Sequence, residues 1–336
     1  MNYYNQYNQV FFNPVELKKL EEKRKIKKVS NLVGAVFIIL WLVPQIISTM
    51  IVNVAALFGA QRLLAPIFSD PAFLMVYQTV ISILMFTLPF IILPLGSGKS
   101  VSQVANIKKP KKSMFLPFVL MGSGVSAFAN LMTNSVGIYF ETFGIHFESP
   151  QIEYPEGLFG FALSFIAVAV TPAFVEEFAT RGMVMGTTRE FGQAFALACS
   201  SVFFSLMHGN LVQIPFALIM GAVIGFAVIK TGSLITGMAI HFINNGFAVI
   251  LSYLTEAISS VILQNIISLA YVGLCAVLLC IGLLLALKAD KSVFSLEKSD
   301  SVLTFGEKMK LLFTAPTIIV SLGLTVIDCL EMISFT

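Results

Sequence analysis

Apolar runs of the length that crosses a bilayer follow one another along this chain, separated by short polar segments. They predict spans at 31–56, 73–95, 114–138, 158–185, 193–209, 211–229, 234–254, 261–288 and 311–330. The short alternating segments of a membrane β-barrel are missing. The predicted fold class is an all-α, polytopic transmembrane helical bundle of about eight or nine spans, the last being the weakest. The chain divides into a basic segment over 1–30, N-terminal spans over 31–140, a central core over 158–255, and C-terminal spans over 256–336 with a polar linker at 289–310.

Composition agrees: 57% of residues are hydrophobic and 12% charged, about half the charge of a soluble domain. The net charge of +3 gives no reason to expect a nucleic-acid partner. The basic residues mark one side. Lys23, Arg24, Lys25, Lys27 and Lys28 precede the first run, KKPKK occupies 108–112, and Arg181, Arg189, Lys230, Lys288 and Lys291 follow later runs. Loops between them are neutral or acidic, as in ETFGIHFESPQIEYPEG at 141–157. The positive-inside rule then predicts a multi-pass protein with a cytoplasmic N-terminus, and the compact, bacterial-looking chain is expected in a bacterial cell membrane. The run from Asn31 to Ala60 exceeds the roughly 7–15 residues of a signal-peptide core, so it reads as a retained span.

Cys199, Cys275, Cys280 and Cys329 sit in apolar runs without CxxC spacing, which indicates neither a disulfide framework nor a thiolate metal site. GSGKS at 96–100 ends like a phosphate-binding loop, but Leu93 stands where that motif needs glycine. A solvated loop is the reading.

Against this background FVEEFATRG at 174–182 is out of place. Carboxylates in hydrocarbon are costly and face a partner or a watery cavity. Glu177 and Arg181 are four apart, in the favourable order for an ion pair, while Glu176 is turned by about 100° and faces elsewhere. FFSLMHGN places Phe204 and His208 four apart, and HFINNG does the same for His241 and Asn245. At the helical rise, Glu176 lies roughly 15 Å, His208 roughly 20 Å, and His241 and Asn245 roughly 10 and 16 Å from the basic ends of their helices. Three helices thus bring their polar groups to one depth. We expect a water-accessible cavity there, opening toward the basic side. Phe204 is expected to pack rather than react, and Gly182, Gly209 and Gly246 to permit close helix approach beside the site. Pro172 is expected to disturb its helix and expose carbonyls to the cavity.

A carboxylate beside a histidine can activate water, and His241 with Asn245 can donate to an oxyanion. Amide hydrolysis suits this set. Glu176, His208 and His241 could alternatively hold zinc with an open position, although HExxH is absent. A proton-coupled transporter also buries Glu and His, and a peptide-binding protein could use the same cavity without chemistry.

EEFATRG, FSLMH and HFINN resemble the EExxxR, FxxxH and HxxxN motifs of the CAAX protease and bacteriocin-processing (CPBP, Abi) family, in order and on successive helices, over about 160–255. The resemblance implies an intramembrane endopeptidase of the glutamate type. Glu176 with His208 would activate water, His241 with Asn245 would form the oxyanion hole, and Glu177 and Arg181 would support them. No cofactor is implied on this route. The partners implied are the lipid bilayer and a membrane-associated peptide or protein substrate; bacteriocin immunity is the non-catalytic alternative. Nothing in the sequence indicates prenylated substrates or an oligomeric state.

Overall fold

The structure is a computed structural model that describes residues 13–148 and 153–335. The polar start of the N-terminal segment and part of the acidic loop at 141–157 lie outside the described residues. The elements in order are α1 (Pro14–Leu57), α2 (Gln61–Phe68), α3 (Pro71–Gly96), α4 (Val101–Ala105), α5 (Lys112–Glu141), β1 (Ile145–Phe147), α6 (Gly157–Phe191), α7 (Gln193–Leu206), α8 (Gln213–Thr231), α9 (Leu234–Glu256), α10 (Val261–Ala289), α11 (Phe305–Phe313), α12 (Pro316–Glu331) and β2 (Ile333–Phe335). The protein is an all-α polytopic bundle. Among the described residues, seven helices are long and apolar enough to cross a membrane, or eight if α11 and α12, bent by 69°, count as one span. The run expected to span at 193–209 forms α7, whose 14 residues reach only about 21 Å. It is too short for a full crossing, yet it carries the chain from the basic end back toward the start of α8.

The basic flank and the first span form one helix, with no break at residue 30. Pro14 opens it at N1, where its missing N–H costs nothing, and the Asn13 side chain accepts from the Val15 N–H at 3.0 Å. Glu21 and Lys25, one turn apart at 2.8 Å, brace its polar part.

In lipid, helix association rests on packing and interhelical hydrogen bonds. Phe37 of α1, Phe90 of α3 and Phe203 of α7 meet at centroid distances of 5.7 Å (Phe37–Phe90) and 4.7 Å (Phe37–Phe203). A second cluster joins Phe118, Met220, Ile224 and Ile240 from α5, α8 and α9. Where α5 crosses α10 the backbones touch: a Cβ on Gly124 would stand 2.7 Å from the Leu279 Cα. Small residues at such crossings are what lipid-embedded packing requires.

The basic loops gather at one end of the bundle and are tied to one another. Lys111 N donates to Thr231 O at 3.1 Å, Asn106 Nδ2 to Gly232 O at 2.7 Å, and Lys99 Nζ to Glu190 at 2.9 Å. GSGKS is part of this end, with Ser100 capping α4 through a capping box. The segment between α10 and α11 straps the same end. Gln193 Nε2 donates to Glu297 at 2.7 Å and Glu297 N donates to the Gln193 Oε1 at 3.0 Å. Ser299 and Lys308 both reach the Phe191 carbonyl, Lys230 binds Ser295 O, and Ser301 and Val302 bind Glu22. Val293 and Leu303 are buried beneath the strap. At the other end β1 and β2 pair antiparallel, Ile145 opposite Phe335.

Candidate active site

The site grows from an irregular helix. α6 is α-helical at Thr171–Glu177 but π-helical on either side, at Phe165–Val170 and Phe178–Met185. Such segments recur at functional sites because they re-aim side chains. Pro172 supplies part of the cause: it has no N–H to offer the carbonyl four residues back. That carbonyl, Val168 O, accepts instead from Asn245 Nδ2 of α9 at 2.9 Å. The expected exposed carbonyl is thus present, and a residue of the third motif takes it up.

Glu176 and Glu177 diverge as their spacing demands. Glu177 is fully buried and pairs with the equally buried Arg181 at 2.8 Å. Arg181 also donates to Thr180 Oγ1 at 2.8 Å and to Gly221 O of α8 at 3.0 Å, so its fork binds two helices. Glu176 lines a cavity of about 400 Å³ together with His208, His241, Asn244 and Asn245. The structure brings Glu176, His208, His241 and Asn245 around this one space, while Glu177 and Arg181 stand behind it.

The histidines are oriented by their second nitrogens. His241 Nδ1 lies 3.0 Å from Glu177 Oε1; with Glu177 already paired to Arg181, the ring donates there. Its Nε2 then faces Glu176 Oε2 at 3.9 Å. His208 Nδ1 lies 2.8 Å from Phe204 O, an acceptor, so its proton sits on Nδ1 as well. Its Nε2 keeps a lone pair for the cavity. Asn245 spends one N–H on Val168 O and accepts from Asn244 Nδ2 at 3.0 Å; an amide has a second N–H to offer.

Phe204 does more than pack. Its ring lies under the Arg181 guanidinium, 4.1 Å from the centroid, and meets His208 and His241 edge-on at 5.2 and 5.7 Å. It separates the buried cation from both imidazoles, and Arg–π attraction fixes it there. The FxxxH spacing contains this residue, but nothing in the sequence said which cation it would meet. The bond from His241 to Glu177 was equally hidden. Among the glycines, Gly182 and Gly246 have ordinary room around them. Gly209, with φ +65°, does permit the expected close approach, since a Cβ there would collide with Trp41 Cη2 of α1; a further close approach falls at Gly237, where a Cβ would stand 2.8 Å from Glu177 Oε2.

Among the described residues no three of His, Cys, Asp or Glu stand together as a metal-holding group; the zinc alternative would need Glu176, His208 and His241 to draw closer than they lie here. One further feature departs from expectation. The cavity does not run toward the basic end. Its lining includes Gln78, Asn130, Thr133, Asn134, Leu251 and Tyr271, which lie roughly 25–35 Å along their helices from that end.

Fold and cluster together define an integral membrane protein with a buried glutamate–histidine–asparagine site. Residues 158–247 match the family model described as Rce1-like, type II CAAX prenyl endopeptidase. This agrees with the resemblance to the CAAX protease and bacteriocin-processing family carried by the three motifs, all of which fall inside the match. Neither the comparison with curated proteins nor that with solved structures finds a match.

Proposed function

We propose that this protein is an intramembrane endopeptidase that hydrolyses a peptide bond in a membrane-associated protein or peptide with a water activated by Glu176 and His208. The observation that carries the reading is the juxtaposition of Glu176 and His241, 3.9 Å apart, in a cavity that His208 also lines, within a segment matched by a protease family. A water between Glu176 and His208 Nε2 loses its proton to one of them as its oxygen attacks the scissile carbonyl. The carbonyl oxygen gains the charge, and the free N–H of Asn245 with a protonated His241 Nε2 stabilises it. Collapse of the tetrahedral intermediate returns the proton to the leaving amine. Glu177 accepts from His241 Nδ1 and so sets the ring with Nε2 toward Glu176. Arg181 holds Glu177 in place.

Purified protein in detergent, incubated with a panel of peptides and prenyl-peptides, tests this. Cleavage abolished by Glu176→Gln and His208→Ala, and preserved in Asp328→Asn, an acid on α12, supports the peptidase. Proton-coupled transport without cleavage, or peptide binding without turnover, would overturn it.

A further inference from the structure

The cavity holds more amide groups than the chemistry uses. Gln78 of α3, Asn130 and Asn134 of α5 and Gln213 of α8 line it beyond the reacting groups. Asn130 and Asn134 are one turn apart, so both amides project from one face of α5. None of these four side chains has a hydrogen-bond partner among the described residues. Thr133, on the same helix, is 7% exposed, and its Oγ1 is buried without a partner. Gln78, Asn130 and Asn134 are exposed into this space, where polar groups at membrane depth face water or a partner.

Their location is as informative as their type. A second space of about 320 Å³ shares Thr133, Asn134 and Val212 with the first and continues to Glu141 and Phe147, beside the β1–β2 pair. The opposite end, with the lysine-rich loops, is closed by the strap from Asp290 to Thr304 and its bonds to Phe191, Gln193 and Glu22. The polar lining leads away from the lysine-rich loops, and no strap residue lines the cavity.

We propose that these carboxamides form a vestibule at the end opposite the lysine-rich loops, and that it receives the extended backbone of an unlipidated peptide segment and leads it to Glu176. The inference rests on the peptidase reading and adds its substrate class and direction of access. An amide offers two donors and an acceptor with two lone pairs, the complement of a strand's alternating N–H and C=O groups. An isoprenoid offers neither: it would seat on the apolar walls, such as Val212, Phe216, Met220 and Leu251, and leave the amides unused. A vestibule that merely hydrates the site would leave peptide affinity indifferent to its amides.

The test uses the full chain in detergent. Binding of a fluorescent unlipidated peptide and its farnesylated counterpart to Glu176→Gln is measured by anisotropy, and wild-type cleavage of both is followed. Asn134→Leu and Gln78→Leu should each weaken binding of the unlipidated peptide and raise KM about three- to tenfold, with kcat within about twofold, as loss of a backbone hydrogen bond predicts. In proteoliposomes of the Cys280→Ser protein, a bulky maleimide on Gly137→Cys, where an added side chain meets nothing within 4 Å, should block cleavage. The same label on Gly306→Cys, equally open but at the basic end, should not. Cleavage that requires the farnesyl group, amide variants with unchanged KM, or blockage from Gly306→Cys would each overturn the vestibule while leaving the peptidase standing. Amide-dependent binding with no cleavage of any peptide would do the reverse.

Discussion

His241 and Glu177, on different helices, share a hydrogen bond of 3.0 Å between Nδ1 and Oε1, and the same oxygen receives the Arg181 guanidinium at 2.8 Å. One fully buried carboxylate atom therefore serves both the structure and the site. The ion pair fixes the oxygen, and the oxygen fixes the ring. Neighbouring acids in one motif have divided their work.

Removing one partner of a buried pair leaves the other uncompensated. Arg181→Ala should cost about 3–5 kcal/mol of stability, read as a lowered thermal midpoint in detergent. Arg181→Lys should rescue little, because an ammonium cannot reproduce the planar fork that reaches Glu177, Thr180 and Gly221 O together.

Asn245→Ala should lower kcat by about 10²–10³, the loss seen when one oxyanion donor is removed, with a smaller change in KM. It also strips Val168 O of its partner. Asn244→Ala, which removes the donor to Asn245 Oδ1 and no donor to the reacting oxygen, should cost about tenfold or less. Initial-rate kinetics on the two variants separate the roles; equal losses would count against the oxyanion assignment.

Activity should persist after exhaustive treatment with a strong chelator and should not rise when zinc is added back. Loss and zinc-dependent recovery would bring back the metal reading, with Glu176, His208 and His241 rearranged to bind it.

Gly237→Ala should impair both stability and turnover. The new methyl would stand 2.8 Å from Glu177 Oε2 and 2.8 Å from Val228 Cγ2, and Glu177 cannot swing away without releasing His241. Overpacking of this kind costs about 1–3 kcal/mol. Gly182→Ala, whose Cβ meets nothing nearer than 3.6 Å, should be mild. Thermal midpoints of the two variants make the comparison.

Much of this was legible in advance, for identifiable reasons. Apolar runs of bilayer length leave few folds to choose from, because lipid forces backbone hydrogen bonds inside the segment. The i,i+4 spacing of Glu177 and Arg181 and the common depth of Glu176, His208 and His241 follow from helix geometry alone. What stayed hidden is what depends on how helices rotate against one another: which nitrogen of His241 meets which acid, and where Phe204 points. Asn130 and Asn134 stand one turn apart in an apolar run, but that spacing alone does not single them out or reveal the amides facing them from α3 and α8. The direction of the cavity was misjudged because lysines mark the watery side of loops and say nothing of which end of a bundle is plugged.

The two π-helical segments that bracket Thr171–Glu177 have a developmental consequence. A wider turn is a stored insertion: deleting one residue from 165–170 or 178–185 returns that stretch to ordinary pitch and leaves the flanking turns in phase, whereas the same deletion inside the α-helical Thr171–Glu177 rotates everything beyond it by about 100°. The acids are thereby phased independently of the ends of their own span. Deletions in the wide turns should therefore be tolerated, while one between Thr171 and Val175 should present the wrong carboxylate to the chamber.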